Sequence, residues 1–313
     1  MAVQSSKRGS GEPDGPPIAI VGVTASGKSA LALELARRLD GIELVSVDSM
    51  QVYRGMDIGT AKPSAAERAE VRHHLIDMVE PSDLYTVSRF QTDFRAAMAD
   101  IERRGRRAVL VGGTGLYLRA AIDGLDIPGQ YPVVVAELDA EPDTIMLHRR
   151  LVALDPVAAS RMEPTNRRRV IRALEVTLGS GRLFSDYGPG LDAYPPTRYI
   201  VVGPRLERSV IYARIERRYR AQVAAGFVEE VARLAGAPGG LSRNARQALG
   251  YRELLRHVEQ GAPLEDCVSE AMVRTRRFAR RQERWFRRDP RVRWFDDPDN
   301  PMAVLDPLLR HLE

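Results

Sequence analysis

Ile18-Ala19-Ile20-Val21-Gly22-Val23-Thr24-Ala25-Ser26-Gly27-Lys28-Ser29 joins an apolar run of strand type to Gly-x-x-x-x-Gly-Lys-Ser, and a helical pattern with Leu31, Leu35 and Leu39 follows. That order is strand, phosphate loop and helix. The glycines let the backbone curl so that successive N–H groups turn inward on a phosphate, and the positive end of the following helix adds to that field. Gly22, Val23, Thr24, Ala25, Ser26 and Gly27 therefore form the cradle. Lys28 reaches the outer phosphate, and the Ser29 hydroxyl can hold a magnesium ion. A chance Gly/Lys/Ser turn would not have both the strand and the helix in register. The loop calls for a phosphate or diphosphate and leaves the reaction open.

Working outward, the 313 residues suffice for one large domain or a domain with a sizeable insertion, and 44% apolar content suits a globular core. No apolar run is long enough to span a bilayer. Residues 1 to 17 are polar, with Gly, Pro and Ser, and read as a disordered tail rather than a signal peptide. The single cysteine, Cys267, excludes an internal disulfide and a cysteine-rich zinc site, so the expected compartment is the cytoplasm. Net charge is +5. Its distribution says more than its total: there are only three lysines, Lys7, Lys28 and Lys62, against 44 arginines, and arginine is the better fork for phosphate.

Ile42 to Val47 reads as a second strand and ends in Asp48-Ser49-Met50-Gln51. In doubly wound sheets ligands bind beyond the carboxyl ends of strands, so Asp48 stands where a general base would act near the phosphate loop. The competing reading is an Asp that caps the next turn. Tyr53 to Pro63, rich in Gly and Pro, reads as a surface loop near the site. The His73-His74 pair lacks a third ligand and reads as structural or hydrogen-bonding. Residues 86 to 104 form an amphipathic helical pattern, and Ala108 to Val111 a buried strand. That strand runs into Gly112-Gly113-Thr114-Gly115, whose bare glycines permit close approach of a ligand, with Thr114 able to hydrogen-bond beside Asp48.

Between about 126 and 193 the alternation pauses. Leu151 to Pro156 and Val170 to Val176 look helical, and the segment reads as a small helical insertion. Arg167, Arg168, Arg169 and Arg172 crowd a helix start, where the dipole disfavours cations unless an anion is present. Arg198 to Gly203 returns to a strand, followed by helices at about 207 to 225 and 228 to 234. Residues 270 to 288 interleave arginines with Phe278, Trp285 and Phe286. At helical spacing Arg277, Arg281, Arg284 and Arg288 share a face, which suits a nucleic-acid backbone with a stacked base. A solvated surface helix docked by its aromatics is the plainer reading.

These pieces together resemble the bacterial tRNA dimethylallyltransferases, over roughly residues 18 to 295. The resemblance lies in Gly22 to Ser29, Val47 to Tyr53, Gly55 to Pro63, Val111 to Tyr117, Arg168 to Glu175, Gln247 to Glu253 and Thr275 to Gln282. The phosphate loop is widely shared; the Asp-Ser-x-Gln and Gly-Met-Asp-Ile-Gly-Thr-Ala-Lys-Pro stretches in that order are far more specific.

The resemblance implies an α/β fold: a P-loop NTPase-like parallel sheet flanked by helices, with a small helical insertion domain and a helical C-terminal part. Its core runs over 18–125, the tRNA-contacting insertion over 126–193, core completion and basic helices over 194–295, and a C-terminal tail or helix over 296–313. It implies transfer of a dimethylallyl group from dimethylallyl diphosphate to N6 of the adenine 3′ of the anticodon, in tRNAs reading codons that begin with U. The P-loop, Lys28 and Arg218 would hold the diphosphate, with magnesium on Ser29. Asp48 would be the base, with Thr114 its neighbour. The tRNA anticodon stem-loop would be touched by Asp48, Ser49, Met50 and Gln51; by Arg168, Arg169 and Arg172; by Arg246, Gln247, Gly250 and Tyr251; and by Arg277, Arg280, Arg281, Gln282, Arg284, Trp285 and Arg287. A monomer is expected, with no membrane partner. Three departures stand out. Val23 replaces the usual Pro, Pro132-Val133-Val134-Val135 lacks an expected arginine, and the segment around 136 to 148 is short. Two other classes fit the motifs less well: a P-loop small-molecule kinase, and a nucleotide-switched RNA-binding protein.

Overall fold

The computed structural model describes residues 15–296 and 300–312. Most of the expected N-terminal tail thus lies outside the described residues. Residues 15–17 are pinned instead of free: the Pro16 carbonyl accepts from Arg107 Nε at 2.8 Å and the Pro17 carbonyl from the Ile200 amide at 3.0 Å.

Strand β1, Ile18–Val21, is buried at every position, as a strand covered on both faces must be. Helix α1, Lys28–Arg38, follows the loop. Then come β2, Ile42–Val47, and α2, Ala65–Glu70, which a Ser64/Glu67 capping box starts. The short β3, His73–His74, leads to α3, Val87–Arg103, then β4, Arg107–Gly112, and α4, Gly115–Ile122. Four helices follow: α5, Pro132–Asp139; α6, Thr144–Leu154; α7, Pro156–Ser160; and α8, Arg167–Ser180. The sheet resumes with β5, Ile200–Arg205, and continues through α9, Arg208–Ala224; α10, Phe227–Ala235; α11, Tyr251–Gln260; and α12, Leu264–Arg287. Strand β6, Arg293–Asp296, and α13, Leu305–Leu312, complete the chain.

All six strands are parallel, in the order β3-β2-β4-β1-β5-β6. The expected α/β fold with a parallel sheet flanked by helices therefore holds. Gly112 is in register with both Val47 and Val21, so the loops after β1, β2 and β4 leave the sheet side by side. This is the geometry that brings Gly22, Asp48 and Gly113 to one edge.

Residues 123–195 form a compact unit of their own. Its core is Leu138, Leu147, Leu151, Ala159, Val170, Ile171, Ala173 and Leu174. The stretch Leu151 to Pro156, expected as one helical piece, is instead broken at Asp155. That buried carboxylate ends α6 and caps α7 by accepting the Ala158 amide at 2.9 Å.

Two strands escaped the sequence reading, β3 and β6, because two and four residues carry too little alternation to register. The C-terminal segment is more than a tail. Val304, Leu305 and Leu308 are buried with Leu31 and Leu35 of α1. Pro301 lies against the phosphate loop, where a Cβ added at Gly27 would meet its Cγ at 2.3 Å. Gly27 itself sits at φ 85°, so both conformation and space require a glycine there.

Candidate active site

Helix α1 starts without a side-chain cap and without an acid in its first turn, leaving its positive end available to an anion. Around it the cations lack their usual partners. Lys28 Nζ donates to the Val23 carbonyl at 3.2 Å. Burial pulls its pKa from 10.5 down to about 8; the Asp48 charge opposes that pull and Arg218 adds to it. Arg218, from α9, is pushed below its ordinary value by burial, with Tyr219 and Asp48 acting in the other direction. Its Nε is buried without a hydrogen-bond partner, as is Ser26 Oγ, and no carboxylate pairs with Arg218 among the described residues. Arg214, one turn earlier on the same helix, brings Nη1 to 3.5 Å from the Ala25 carbonyl. A buried guanidinium with no carboxylate in ion-pair contact is costly. A diphosphate would supply the missing charge and acceptors.

Asp48 follows β2 on the neighbouring loop. Its Oδ1 accepts the Met50 amide at 2.8 Å, so the turn-capping reading is realised by one oxygen. Among the described residues Oδ2 has no hydrogen-bond partner, which leaves it able to take a proton. Thr114 Oγ1 accepts the Ser49 amide at 3.4 Å and so stands one residue from the carboxylate. Tyr117, buried below, has its phenol pushed up by burial, by Tyr53 and by the Asp48 charge. Lys28, Arg218 and Asp48 thus share one electrostatic environment: cations for a leaving anion, and a carboxylate for a proton.

The loop from Tyr53 to Pro63 is irregular, yet it is fixed from below. The Lys62 side chain is only 1% exposed and pairs with Asp57 at 2.7 Å and Asp77 at 2.6 Å. The Glu230 carboxylate accepts the amides of Asp57, Ile58 and Gly59 at 2.9, 2.8 and 3.2 Å. The Gln51 amide is committed internally, accepting from Ser46 Oγ at 2.8 Å and donating to the Thr60 and Ala61 carbonyls at 3.3 Å.

The residues expected to touch tRNA divide sharply. Arg277, Arg280, Arg281, Arg284 and Arg287 are exposed on α12. With Arg208 and Glu283, the first four line a cavity of about 480 Å³. Arg287 is partly neutralised by Glu283 at 2.7 Å. Arg168 and Arg169 are exposed at the start of α8, whereas Arg172 is held by Glu175 at 2.8 Å and the Pro128 carbonyl at 2.8 Å. Gln247 is exposed, and Arg246 pairs with Glu259. Ser49 and Met50 are half-buried beside Asp48.

Four other residues expected to touch tRNA are turned partly or wholly inward. Gly250 is buried against Phe227 and Tyr219. Tyr251 is fully buried and its hydroxyl donates to Glu230. Gln282 is buried on the inner face of α12, with both ends of its amide hydrogen-bonded to backbone. Trp285 is half-buried, with its indole edge over Gly115, where a Cβ would come within 2.1 Å of Nε1. A Cβ at Gly113 or Gly115 would meet Gln282 or Trp285, so both glycines are bare to admit those side chains.

Sequence reasoning overlooked Glu230 and Gln222, whose amide donates to the Ile58 carbonyl, because an acid and an amide on helices look like surface residues. Arg208 did carry a signal: a cation at a helix start, the sign already noticed at Arg167 to Arg172.

Comparison with known proteins shows the family. An "IPP transferase" family model matches residues 51–289, and an "Isopentenyl transferase" model matches residues 18–83. The chain is 47% identical to a tRNA dimethylallyltransferase of Nocardioides sp. over 90% of its length and 92% of the relative's. It is 44% identical to that of Geobacter metallireducens over 93% and 96% of the two chains. Among solved structures, the full-length tRNA isopentenylpyrophosphate transferase of Bacillus halodurans superposes with a TM-score of 0.68 at 36% identity, covering 95% of this chain and 96% of that one. A eukaryotic dimethylallyltransferase acting on tRNA superposes with a TM-score of 0.78 at 26% identity, covering 95% and 78%. The chain belongs to the IPP transferase family.

Proposed function

We propose that the chain transfers the dimethylallyl group of dimethylallyl diphosphate to N6 of the adenine immediately 3′ of the anticodon, in tRNAs that read codons beginning with U. The observation that carries this reading is the pairing of an uncompensated cationic pocket, Lys28 and Arg218 at the phosphate loop, with the half-free carboxylate of Asp48. An allylic diphosphate ionises readily once its leaving group is neutralised. The N6 nitrogen bonds to C1 of the allyl group as the C1–O bond breaks and diphosphate leaves, and Asp48 Oδ2 takes the N6 proton. An exocyclic amine is hidden in a stacked base, so the adenine must be extruded.

Magnesium fits as an ion carried on the diphosphate. Among the described residues no group of three or more His, Cys, Asp or Glu could hold one, whereas the exposed Ser29 hydroxyl at the start of α1 suits an ion that takes one protein ligand plus phosphate oxygens. When bound it adds positive charge to the leaving group. No helix among the described residues is long and apolar enough to cross a membrane. A tRNA substrate favours activity in the cytoplasm.

A single-turnover assay with labelled dimethylallyl diphosphate and unmodified tRNA tests the reading: label should pass to the tRNA with release of diphosphate. ATP hydrolysis in step with modification would point to a P-loop kinase or nucleotide switch instead.

A further inference from the structure

Gln282 joins two catalytic loops that have no strand or helix in common. Its Oε1 accepts the Thr24 amide of the phosphate loop at 2.8 Å, and its Nε2 donates to the Gly113 carbonyl, after β4, at 2.8 Å. The partners fix the amide's orientation, since an N–H must face the oxygen and a carbonyl must face the nitrogen. The residue is 6% exposed, and losing the bond to the Gly113 carbonyl would leave a buried acceptor unpaired. Beyond Gly113 the path continues through Thr114 to the Ser49 amide, the residue after Asp48. One turn along α12, Trp285 packs on Gly115 and fixes the helix against sliding.

We infer that Gln282 is a positioning residue for transfer, which holds the diphosphate loop in register with the turn that carries Thr114 and with Asp48. The inference rests on the prenyl-transfer reading above. In that reaction the leaving oxygen and the proton acceptor act on opposite ends of one forming and breaking axis, so their separation sets how well the acceptor nitrogen, C1 and the leaving oxygen align. Gln282 is the side chain that spans the two loops.

Gln282→Met keeps the length and burial of the side chain and removes both hydrogen bonds. Turnover at saturating donor and tRNA should fall about 10- to 100-fold, the size expected when reacting groups are misplaced by a fraction of an ångström to one ångström. Affinity for tRNA should stay within about twofold, since the exposed arginine face is untouched. Gln282→Glu supplies the distinguishing signature. Its carboxylate can accept from Thr24 but repels the Gly113 carbonyl, and protonation restores a donor. Burial raises the pKa of such a carboxyl. Its activity, as a ratio to wild type, should therefore recover as pH is lowered from about 8 to about 6, while the ratio for Gln282→Met stays flat. The groups native to the site are the same in all three proteins, so the ratio isolates the introduced carboxyl. Wild-type turnover in Gln282→Met, or a Gln282→Glu ratio that does not change with pH, would overturn the positioning role. Failure of inorganic pyrophosphate to bind the wild-type protein in calorimetry would instead overturn the prenyl-transfer reading, and the inference with it.

Discussion

At the scale of single residues, the site depends on charges left without their usual partners. Asp48 shows how finely this is arranged, with one oxygen accepting the Met50 amide and the other without a hydrogen bond among the described residues. Asp48→Asn can retain the Met50 contact through its amide oxygen, so the loop should persist while proton removal fails. Turnover should drop by about 10²-fold or more with tRNA affinity little changed, the size of a lost general base. Wild-type turnover in that variant would end the assignment. Lys28 yields a pH prediction. Its ammonium is already destabilised by burial, with a pKa of about 8, and a bound diphosphate favours the charged form. Above about 8 a proton must therefore be taken up on binding, and donor affinity should weaken by up to about tenfold per pH unit. Titration calorimetry in buffers of different ionisation enthalpy at pH 8.5 should detect that proton. Lys28→Ala should bind more weakly at neutral pH and lose the dependence. Parallel pH profiles for the two proteins would show that Lys28 does not face the diphosphate.

At the scale of elements, α12 has two faces with different work. Ala271, Thr275, Ala279, Gln282 and Phe286 are buried, while Arg277, Arg281, Arg284 and Arg288 face out. The outward stripe was legible in the sequence because a charge every third or fourth residue marks a helix face. The inward role of Gln282 was not, because its partners lie 258 and 169 residues away and an amide carries no pattern. The same contrast separates the phosphate loop, whose signal is local, from Glu230 and its three loop amides. The arginine stripe should bind tRNA phosphates. Replacing Arg277, Arg281 and Arg284 together by alanine should flatten the slope of log affinity against log salt by about two units, at roughly 0.7 per single-strand contact. Filter binding from low to physiological salt measures it. Donor binding should not change. Coincident slopes for variant and wild type would mean that tRNA docks elsewhere.

At the scale of the molecule, the parallel sheet was legible in the first motif, because a phosphate loop between strand and helix commits the chain to one with ligands at its carboxyl edge, whereas the order of its six strands appears only in the fold. The ends of the chain were less legible. The apolar positions of α13 span only two turns, so its docking on α1 through Leu305 and Leu308 is set by tertiary packing more than by pattern. The unit at 123–195 is the other feature that sequence outlined without resolving, since it reads as separate helices whose shared core appears only when folded. That core draws on its own residues and on none of the two apolar clusters that bury the sheet. Its stability should therefore be separable from that of the donor site. Leu151 is fully buried in it, and Leu151→Ala should cost about 2–5 kcal/mol, the usual range for a leucine truncated in a packed core. A loss of that size is a large fraction of what so small a unit can hold. Limited proteolysis should then cut within 123–195 while pyrophosphate binding, measured by calorimetry on the same full-length protein, stays near wild type. tRNA modification should fall, because Arg168 and Arg169 ride on α8, whose Val170 and Leu174 pack in that core. Loss of pyrophosphate binding in parallel with the proteolytic opening would show instead that the two units fold as one.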